Sequence, residues 1–258
     1  LLNLAHVKTF VIDEADMIFE EKEIVEVDHI MGKIQDMPQF LIFSATISKG
    51  LRAFLNKYLQ NIETIVLEEK NLTKASIEHL MLQCKAKQKE HVLLDLLNII
   101  NPYLAIIFVN KKEKVEELSL TLAQNGYKVG KIHGAMDDRD RKQMLRRIKN
   151  LEFKYVVASD IAARGIDIEG VSHVINFDLP VDIEFYIHRT GRTARFNSTG
   201  TAISLYAYDD DAYVNGLREK GLVVRFVKIS DGELVQTKLV KRPTRSFVRE
   251  IEDKVHQQ

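Results

Sequence analysis

The feature that most constrains the fold of this chain is a short apolar run that ends abruptly in acidic residues. Residues 7–12 are mostly apolar, and Asp13, Glu14 and Asp16 follow them in the sequence VIDEAD. A run of this kind predicts a buried parallel β-strand. In open α/β sheets the functional groups gather at the carboxyl ends of such strands. We therefore expect an α/β fold with a functional edge that includes Asp13.

The acidic residues after this strand have two interpretations. A carboxylate at a strand end can hold Mg²⁺ near a nucleotide phosphate, usually through water, because Mg²⁺ prefers oxygen ligands and keeps part of its hydration shell. The next carboxylate can orient an attacking water. Alternatively, Asp and Glu simply begin a helix, where the positive end of the helix dipole favours them. The short stretch alone does not decide between a site and a helix start.

Three later segments carry polar and charged residues in a recognisable order. They are SAT at 44–46, SDIAARGID at 159–167 and HRTGRTAR at 188–195, and the first two each follow an apolar run. Together with DEAD at 13–16, their order and spacing resemble the DEAD-box family of ATP-dependent RNA helicases. The resemblance extends from about Leu4 to Tyr206 and so covers most of the chain.

This resemblance implies two RecA-like parallel-sheet domains. We expect residues 1–68 to form the C-terminal half of a first, ATP-binding domain that is incomplete at its N-terminus. A linker at 69–76, a second RecA-like helicase domain at 77–230 and a basic tail at 231–258 would follow. Strand and helix patterns alternate along the chain, which independently favours an α/β fold with a parallel sheet.

The resemblance also implies an activity and its ligands. A DEAD-box helicase binds ATP, Mg²⁺ and RNA in the cleft between its two domains, and it separates RNA duplexes locally through ATP binding and hydrolysis. Its RNA contacts are made to the backbone, which predicts binding that is independent of base sequence. Lys+Arg and Asp+Glu both number 37, so the formal net charge is zero and RNA contacts would need a local basic patch.

Catalytic roles fall on four residues by the same resemblance. Asp13 would hold Mg²⁺ through water, and Glu14 would orient the attacking water. Arg192 and Arg195 would act as arginine fingers on the γ-phosphate, for which a planar guanidinium is well suited. If the segment that carries them is helical, these two arginines lie about one turn apart.

Four further residues would couple nucleotide state to strand separation. The family pattern assigns this role to Asp16, Ser44, Thr46 and His188. The residues themselves leave an alternative open, because Ser44 also fits a small-residue turn that needs no ligand.

Ligand contacts complete the expected site. Nucleotide binding would involve Gly165 and Asp167, and RNA binding would involve Asn110, Gly134, Arg141 and Ser159. Three positions depart from the family pattern. Ser159 replaces the usual Thr, Asp138 stands where Gln is usual, and Ala194 stands where Gly is more frequent.

The chain lacks a phosphate-binding loop of the form GxxxxGK[ST], which cradles phosphates with backbone N–H groups and a lysine. Gly126 and Gly130 are one residue too close, and Leu222 follows Gly216 and Gly221 where lysine is required. We therefore expect negligible ATPase activity from this chain alone. A noncatalytic RNA-binding fragment is the alternative function, and a DNA translocase or a purely structural α/β domain are further alternatives.

Cysteine content and hydropathy bear on location. The single cysteine, Cys84, excludes an internal disulfide bond, and no apolar run is long enough to span a bilayer. Both features suit a cytoplasmic protein.

Hydrophobic periodicity predicts the individual elements. Before the linker we expect strands over 7–12, 40–43 and 62–67, a helix over 21–34, and a helix that begins after Ser48 as its N-cap. After the linker we expect strands over 77–84, 104–109, 129–133, 155–158, 172–177 and 201–206, and helices over 87–100, 112–124 and 137–149.

Overall fold

The computed structural model describes residues 3–20, 24–66, 77–160, 168–194, 199–207 and 210–238. Within these ranges the chain has an α/β fold, as predicted, and it divides into two compact units, Leu1–Glu68 and Glu69–Gln258. The predicted linker at 69–76 lies outside the described residues. In the part of the chain that the structure describes, no helix is both long and apolar enough to cross a membrane.

The first unit combines a pair of parallel strands with helices. Its elements in chain order are β1 (Thr9–Ile12), α1 (Ala15–Glu20), α2 (Ile24–Met31), β2 (Gln39–Ile42) and α3 (Lys49–Tyr58). β1 and β2 are in parallel register, with Ile12 beside Ile42, so both strands end at the same edge. DEAD follows β1 at this edge and SAT follows β2.

Helices α1 and α3 pack closely against each other in the first unit. The rings of Phe19 and Phe54 stack with their centroids 4.5 Å apart. A Cβ added to Gly50 would lie 2.0 Å from the carbonyl oxygen of Phe19, so only glycine allows this approach. Ser48 caps α3 as predicted, since its hydroxyl oxygen accepts a hydrogen bond from the backbone N–H of Leu51 at 3.2 Å.

The strand predicted over 62–67 is wrong for residues 62–66, which form no strand; Leu67 lies outside the described residues. The side chains of Ile62, Ile65 and Val66 are 47%, 77% and 75% exposed. Their β-branched character led to the prediction, but a strand also needs a neighbour that satisfies its backbone N–H and C=O groups. Neither β1 nor β2 pairs with this segment.

The second unit is built on an eight-stranded sheet. Its strands are β3 (Ile77–Gln83), β4 (Ala105–Phe108), β5 (Val129–Ile132), β6 (Tyr155–Ala158), β7 (His173–Asn176), β8 (Gly200–Tyr206), β9 (Val224–Ser230) and β10 (Glu233–Thr237). Their order across the sheet is β10-β9-β3-β8-β7-β4-β6-β5. Neighbouring strands are parallel throughout, except that β10 is antiparallel to β9.

Helices of the second unit connect these strands. The described ones are α4 (Lys89–Ile99), α5 (Lys112–Gln124), α6 (Asp138–Lys149), α7 (Ile183–Thr190) and α8 (Asp211–Glu219), and a short 3₁₀ helix (Ala86–Gln88) precedes α4. α5 has the predicted bounds and ends at Asn125, followed by Gly126 with a φ of 83°. Asp137 caps α6, because its carboxylate accepts a hydrogen bond from the backbone N–H of Asp140 at 2.8 Å.

Apolar side chains cover both faces of this sheet. Along β4, Ala105 and Ile107 belong to one core cluster, and Ile106 and Phe108 belong to another. Burial on both faces is typical of parallel sheets between helices. The central strands β4 (AIIF) and β6 (YVVA) are therefore apolar to their last residue, and polar groups follow just beyond their carboxyl ends.

Five of the described helices and strands were not among the elements expected from periodicity: α1, α7, α8, β9 and β10. α7 overlaps the HRTGRTAR motif, whose charged residues mask a helical pattern. The predicted basic tail at 231–258 begins with a strand, because β10 pairs with β9 through a turn at Asp231 and Gly232, which have φ values of 53° and 79°. Residues 239–258 lie outside the described residues.

Candidate functional site

The DEAD residues form the turn that leads from β1 into α1. Asp13 is exposed beyond the carboxyl end of β1, and its Oδ1 accepts a hydrogen bond from the backbone N–H of Glu14 at 2.9 Å. Glu14 has a φ of 50°, in the left-handed region that residues other than glycine seldom adopt. Backbone strain of this kind is concentrated at functional sites.

Asp16 joins the DEAD turn to the SAT segment. Its side chain is only 1% exposed, and its Oδ2 accepts hydrogen bonds from the backbone N–H and the hydroxyl of Thr46, at 3.0 and 2.9 Å. The Ser44 hydroxyl accepts from the backbone N–H of Asp16 at 3.0 Å and donates to the Thr46 carbonyl at 2.6 Å. The structure thus brings together three of the residues predicted to couple nucleotide state to strand separation, and their coupling role stays a prediction.

The donor set at the DEAD turn fits a cation that is held mainly by water and phosphate. Asp13 supplies an exposed carboxylate at the strand end. Among the described residues there is no group of three or more His, Cys, Asp and Glu side chains that could hold a metal ion. A single carboxylate fits Mg²⁺, which keeps several waters and is usually bound by one or two carboxylates together with substrate phosphates.

In the second unit, polar residues follow four neighbouring strands. Asn110 comes two residues after β4, His133 directly follows β5, Ser159 directly follows β6 and Asp178 comes two residues after β7. These strands are adjacent and parallel in the order β7-β4-β6-β5, so their carboxyl ends meet at one edge. The residues predicted to bind RNA at strand ends, Asn110, Gly134 and Ser159, all lie along this edge.

The guanidinium of Arg189, on α7, joins three of these strand ends. Its side chain is only 2% exposed. Nε and Nη2 lie 2.5 and 2.6 Å from the two carboxylate oxygens of Asp160, which is a bidentate, charge-assisted pair. Nη2 also donates to Asn110 Oδ1 at 2.8 Å, and Nη1 donates to the Asp178 carbonyl at 2.6 Å. One side chain therefore ties α7 to the ends of β4, β6 and β7.

A chain of buried polar groups continues from Arg189 across the sheet. Arg189 Nη1 donates to Asn176 Oδ1 at 3.3 Å, and Asn176 Nδ2 donates to Ser204 Oγ at 3.0 Å. Ser204 is hydrogen-bonded to Tyr186, whose hydroxyl lies 3.0 Å from His79 Nδ1. Burial lowers the pKa of His79 to about 4, so the ring is neutral at pH 7 and can accept at Nδ1. In the tautomer that carries its proton on Nε2, Nδ1 accepts from the Tyr186 hydroxyl, and the donors of the chain then point in one direction from Arg189 to His79.

Two of the predicted RNA contacts are constrained by these bonds. Asn110 is exposed, but its Oδ1 accepts from Arg189 and its Nδ2 donates to the Leu179 carbonyl at 2.9 Å. Its amide is thereby held in a fixed orientation. Ser159 is only 7% exposed, so little of its surface is open to an external phosphate. A contact between Ser159 and RNA stays a prediction.

The remaining predicted RNA residues lie around the end of β5. Gly134 is in the exposed turn after His133, and Arg141 is in the first half of α6. His133 Nε2 lies 2.7 Å from Glu116 Oε1, and Lys131 also pairs with Glu116. Hydrogen bonds from Lys131 and then from His133 lower the pKa of Glu116. The β5 end is therefore held to α5 by an ionised carboxylate.

The segment that carries the proposed arginine fingers is not a continuous helix. His188 lies in the last turn of α7, which ends at Thr190, and Arg192 lies in the turn that follows. Ala194 has a φ of 56°, which a right-handed helix does not allow. The helical spacing considered for Arg192 and Arg195 is therefore interrupted before Arg195 is reached.

Three predicted residues lie outside the described residues: Gly165, Asp167 and Arg195. Their assigned roles in nucleotide binding and catalysis stay predictions.

The sequence reasoning missed the polar chain around Arg189. Arg189 and Asp160 could have been found because they lie in the HRTGRTAR and SDIAARGID motifs. Asn176 could have been found because it is a polar residue at the end of an apolar run. Nothing in the sequence signals the contact of His79 with Tyr186, because these residues are 107 positions apart.

Comparisons with known proteins agree with the motifs. The model of the DEAD/DEAH box helicases matches residues 1–54, and that of the helicase conserved C-terminal domain matches residues 88–197. The DEAD-box ATP-dependent RNA helicase CshB of Staphylococcus aureus is 47% identical over 88% of this chain and 51% of its own length. CshB of Bacillus subtilis is 40% identical over 90% of this chain and 53% of its own length. The chain thus spans about half the length of the curated relatives it matches.

Solved structures give the same result for the fold. Dbp5 of S. cerevisiae bound to RNA and ADP BeF3 matches with a TM-score of 0.78 and 26% identity, over 99% of this chain and 64% of that chain. The E. coli DEAD-box protein SrmB bound to the regulator of ribonuclease activity A matches with a TM-score of 0.57 and 32% identity, over 65% of this chain and 98% of that chain.

Proposed function

This chain belongs to the DEAD-box family of ATP-dependent RNA helicases and has their RecA-like α/β fold, and from this we propose that it acts in the ATP-dependent local separation of RNA duplexes. The observation that carries the proposal is the direct bonding of Asp16, in DEAD, to Ser44 and Thr46, in SAT. Two motifs that lie far apart in the sequence form one connected group at a strand edge. A change in the nucleotide at DEAD therefore has a path to SAT.

The first unit would supply the hydrolytic groups. Asp13 would hold Mg²⁺ through water, and the ion would neutralise charge on the phosphates of ATP. Glu14 would orient the attacking water. Its left-handed backbone conformation sets the direction in which its side chain leaves the DEAD turn. Asp16, Ser44 and Thr46 would transmit the state of the nucleotide.

The second unit would supply cations and RNA contacts. Arg192 and Arg195 would stabilise the charge that develops on the γ-phosphate, and His188 would couple this step to the rest of the protein. Nucleotide contacts would come from Gly165 and Asp167, and RNA backbone contacts from Asn110, Gly134, Arg141 and Ser159. Because phosphate contacts carry no base information, binding would be independent of RNA sequence. We also propose a cytoplasmic location, where ATP and RNA are both present.

For this chain alone, a noncatalytic RNA-binding role is a second candidate. The observation that favours it is the lack of a GxxxxGK[ST] loop in the sequence. Without that loop, ATP lacks the backbone N–H groups and the lysine that cradle its phosphates.

Phosphate release from ATP and Mg²⁺, with and without single-stranded RNA, tests both candidates. The assay compares this chain with a chimera that carries, ahead of it, the part of the S. aureus relative that precedes the matched region. We expect RNA-stimulated release from the chimera and negligible release from the chain alone. RNA-stimulated release by the chain alone would show that another segment cradles the phosphates.

Matched variants and ligands complete this test. In the chimera, Glu14→Gln should abolish RNA-stimulated release while RNA binding persists, because only the orientation of the attacking water is lost. Stimulation by single-stranded DNA equal to that by RNA would favour a DNA translocase. Unchanged RNA-stimulated phosphate release by the Arg192→Ala variant of the chimera would argue against a helicase site and for a purely structural α/β domain.

A further inference from the structure

Helix α6 concentrates positive charge in a chain that has no net charge. Its 12 residues, DRDRKQMLRRIK, include six basic and two acidic side chains. Arg146, Arg147 and Lys149 lie in its last turn, where the negative end of the helix dipole favours cations. Arg139 and Lys142 lie in its first half, where the dipole disfavours them. Dipole complementarity therefore does not explain the whole pattern.

Four of these side chains form a stripe along the exposed side of the helix, which we call the α6 basic stripe: Arg139, Lys142, Arg146 and Lys149. Their spacings of three, four and three residues keep them within about 80° around the helix axis. All four are exposed, and none makes an ion pair with another described residue. At a rise of about 1.5 Å per residue, the stripe is about 15 Å long.

A surface groove runs beside the first three members of the stripe. It has a volume of about 560 Å³ and is lined by Asp138, Arg139, Lys142, Gln143 and Arg146. Asp138 is the one acidic residue in this lining, so the groove has an excess of positive charge. Arg147, by contrast, is paired with Glu152 at 2.9 Å and does not belong to the stripe.

The stripe is separate from the RNA contact proposed for Arg141. Arg141 follows Arg139 by two residues, which places the two side chains about 200° apart around the helix. Arg141 is also partly buried, whereas the stripe is exposed. The stripe begins at the same end of α6 as Arg141 and extends from there along the other side of the helix.

We propose that the α6 basic stripe binds the phosphate backbone of RNA that extends beyond the strand-end site. A line of cations about 15 Å long covers roughly four steps of about 3.4 Å along one strand of a duplex, and therefore lies beside about five phosphates. Unpaired and exposed cations suit this ligand, because binding then releases counterions without breaking protein ion pairs. The inference rests on the proposed function, since it extends the RNA contacts of the same unit.

Fluorescence anisotropy with labelled single-stranded RNAs of about 10 and about 30 nucleotides tests the stripe, because a single binding fold covers about 4–16 nucleotides. The stripe variant is Arg139→Gln/Arg146→Gln, and the control is Arg225→Gln/Lys228→Gln on β9, towards the opposite edge of the sheet. We expect the stripe variant to bind the long RNA on the order of tenfold more weakly, with the slope of log K against log salt reduced by about 1.4. Binding of the short RNA should hardly change.

Further variants separate this proposal from the proposed function. Arg141→Gln should weaken binding of both RNAs, and Arg139→Lys/Arg146→Lys should restore long-RNA binding, because lysine keeps the point charge. If the stripe variant and the unsubstituted chain bind the long RNA with equal affinity and equal salt dependence, the proposal for the α6 basic stripe is wrong, while the proposed function is unaffected. An equal loss in the β9 control would also overturn the proposal for the stripe. If the unsubstituted chain binds neither RNA, the proposed function fails as well.

Discussion

At the scale of single residues, the backbone at Ala194 is a point of local strain. Its φ of 56° is one that glycine adopts freely and alanine does not. We expect Ala194→Gly to raise the free energy of unfolding, by up to about 1 kcal/mol, because relief of strain outweighs the added freedom of the unfolded chain. Urea unfolding of the chain measures this change.

The control for this substitution is Ala123→Gly. Ala123 lies within α5 and is exposed, and glycine there should lower the free energy of unfolding by about 1 kcal/mol. Opposite signs for the two substitutions are expected. If Ala194→Gly is as destabilising as Ala123→Gly, the strain at Ala194 is not real.

The neutral ring of His79 predicts a loss of stability in acid. Its pKa is lowered by burial from 6.5 to about 4, so between these values the unfolded chain binds a proton that the folded chain does not. The free energy of unfolding should therefore fall as pH drops from 7 to 4, with about 3 kcal/mol coming from this residue. Protonation would also remove the acceptor that ends the polar chain from Arg189.

Urea unfolding at pH 7 and pH 5 checks the role of His79. His79→Gln should show a smaller decrease between the two pH values than the unsubstituted chain, because glutamine does not titrate. His91→Gln is the matched control, since His91 is exposed on α4. Identical pH dependence in both variants would mean that His79 titrates normally.

At the scale of elements, Arg189 determines how α7 meets the strand ends. Arg189→Lys keeps the charge but loses the planar fork that reaches Asp160, Asn110 and the Asp178 carbonyl together. We expect the free energy of unfolding to fall by about 1–3 kcal/mol, because lysine cannot make all of these hydrogen bonds and leaves buried acceptors without a donor. RNA affinity should also fall, because Asn110 loses the donor that orients its amide.

Urea unfolding and RNA anisotropy measure both effects, with Arg218→Lys as the control. Arg218 is an exposed arginine of α8 that lies over the ring of Phe226, and its replacement should change stability by less than about 1 kcal/mol. Similar results for the two lysine variants would exclude a special role for Arg189.

Elements were predictable where periodicity and end signals agreed. The predicted bounds 112–124 of α5 are confirmed, and they were predictable because an apolar stripe ends in Asn-Gly. Ser48 is confirmed as the N-cap of α3, and it was predictable because a hydroxyl residue precedes an amphipathic run. The strand predicted over residues 62–66 is wrong, because strand pairing depends on a neighbouring strand that the local sequence does not specify. The sequence marks Arg189 and Asn176 as unusual polar residues, but it does not show that they are linked to His79, because β3, β7, β8 and α7 meet only in the folded sheet.

At the scale of the whole chain, the two units differ greatly in the size of their cores. Among the described residues of the first unit, the buried apolar cluster consists of Ile12, Ala15, Phe19, Val27, Leu51 and Phe54, and Met17 is buried as well. Its sheet has two strands, and such small sheets are marginally stable, whereas the second unit encloses its eight-stranded sheet on both faces. We expect residues 77–238 alone to unfold cooperatively in urea at nearly the same midpoint as the corresponding transition of the full chain.

Circular dichroism of two separate fragments checks this expectation. Residues 1–66 alone should show no cooperative transition, because their core is small. A midpoint for residues 77–238 that is much lower than in the full chain would show that the second unit depends on residues outside it.

The close approach of Gly50 to Phe19 has a mechanical consequence for the first unit. With no side chain between them, the backbones of α1 and α3 have no compressible layer at that point. The bonds of Asp16, in the first turn of α1, to Thr46 connect α1 to the segment that leads into α3. The two helices should therefore move together as one rigid pair, because any decrease in the distance between them at Gly50 would bring backbone atoms into collision.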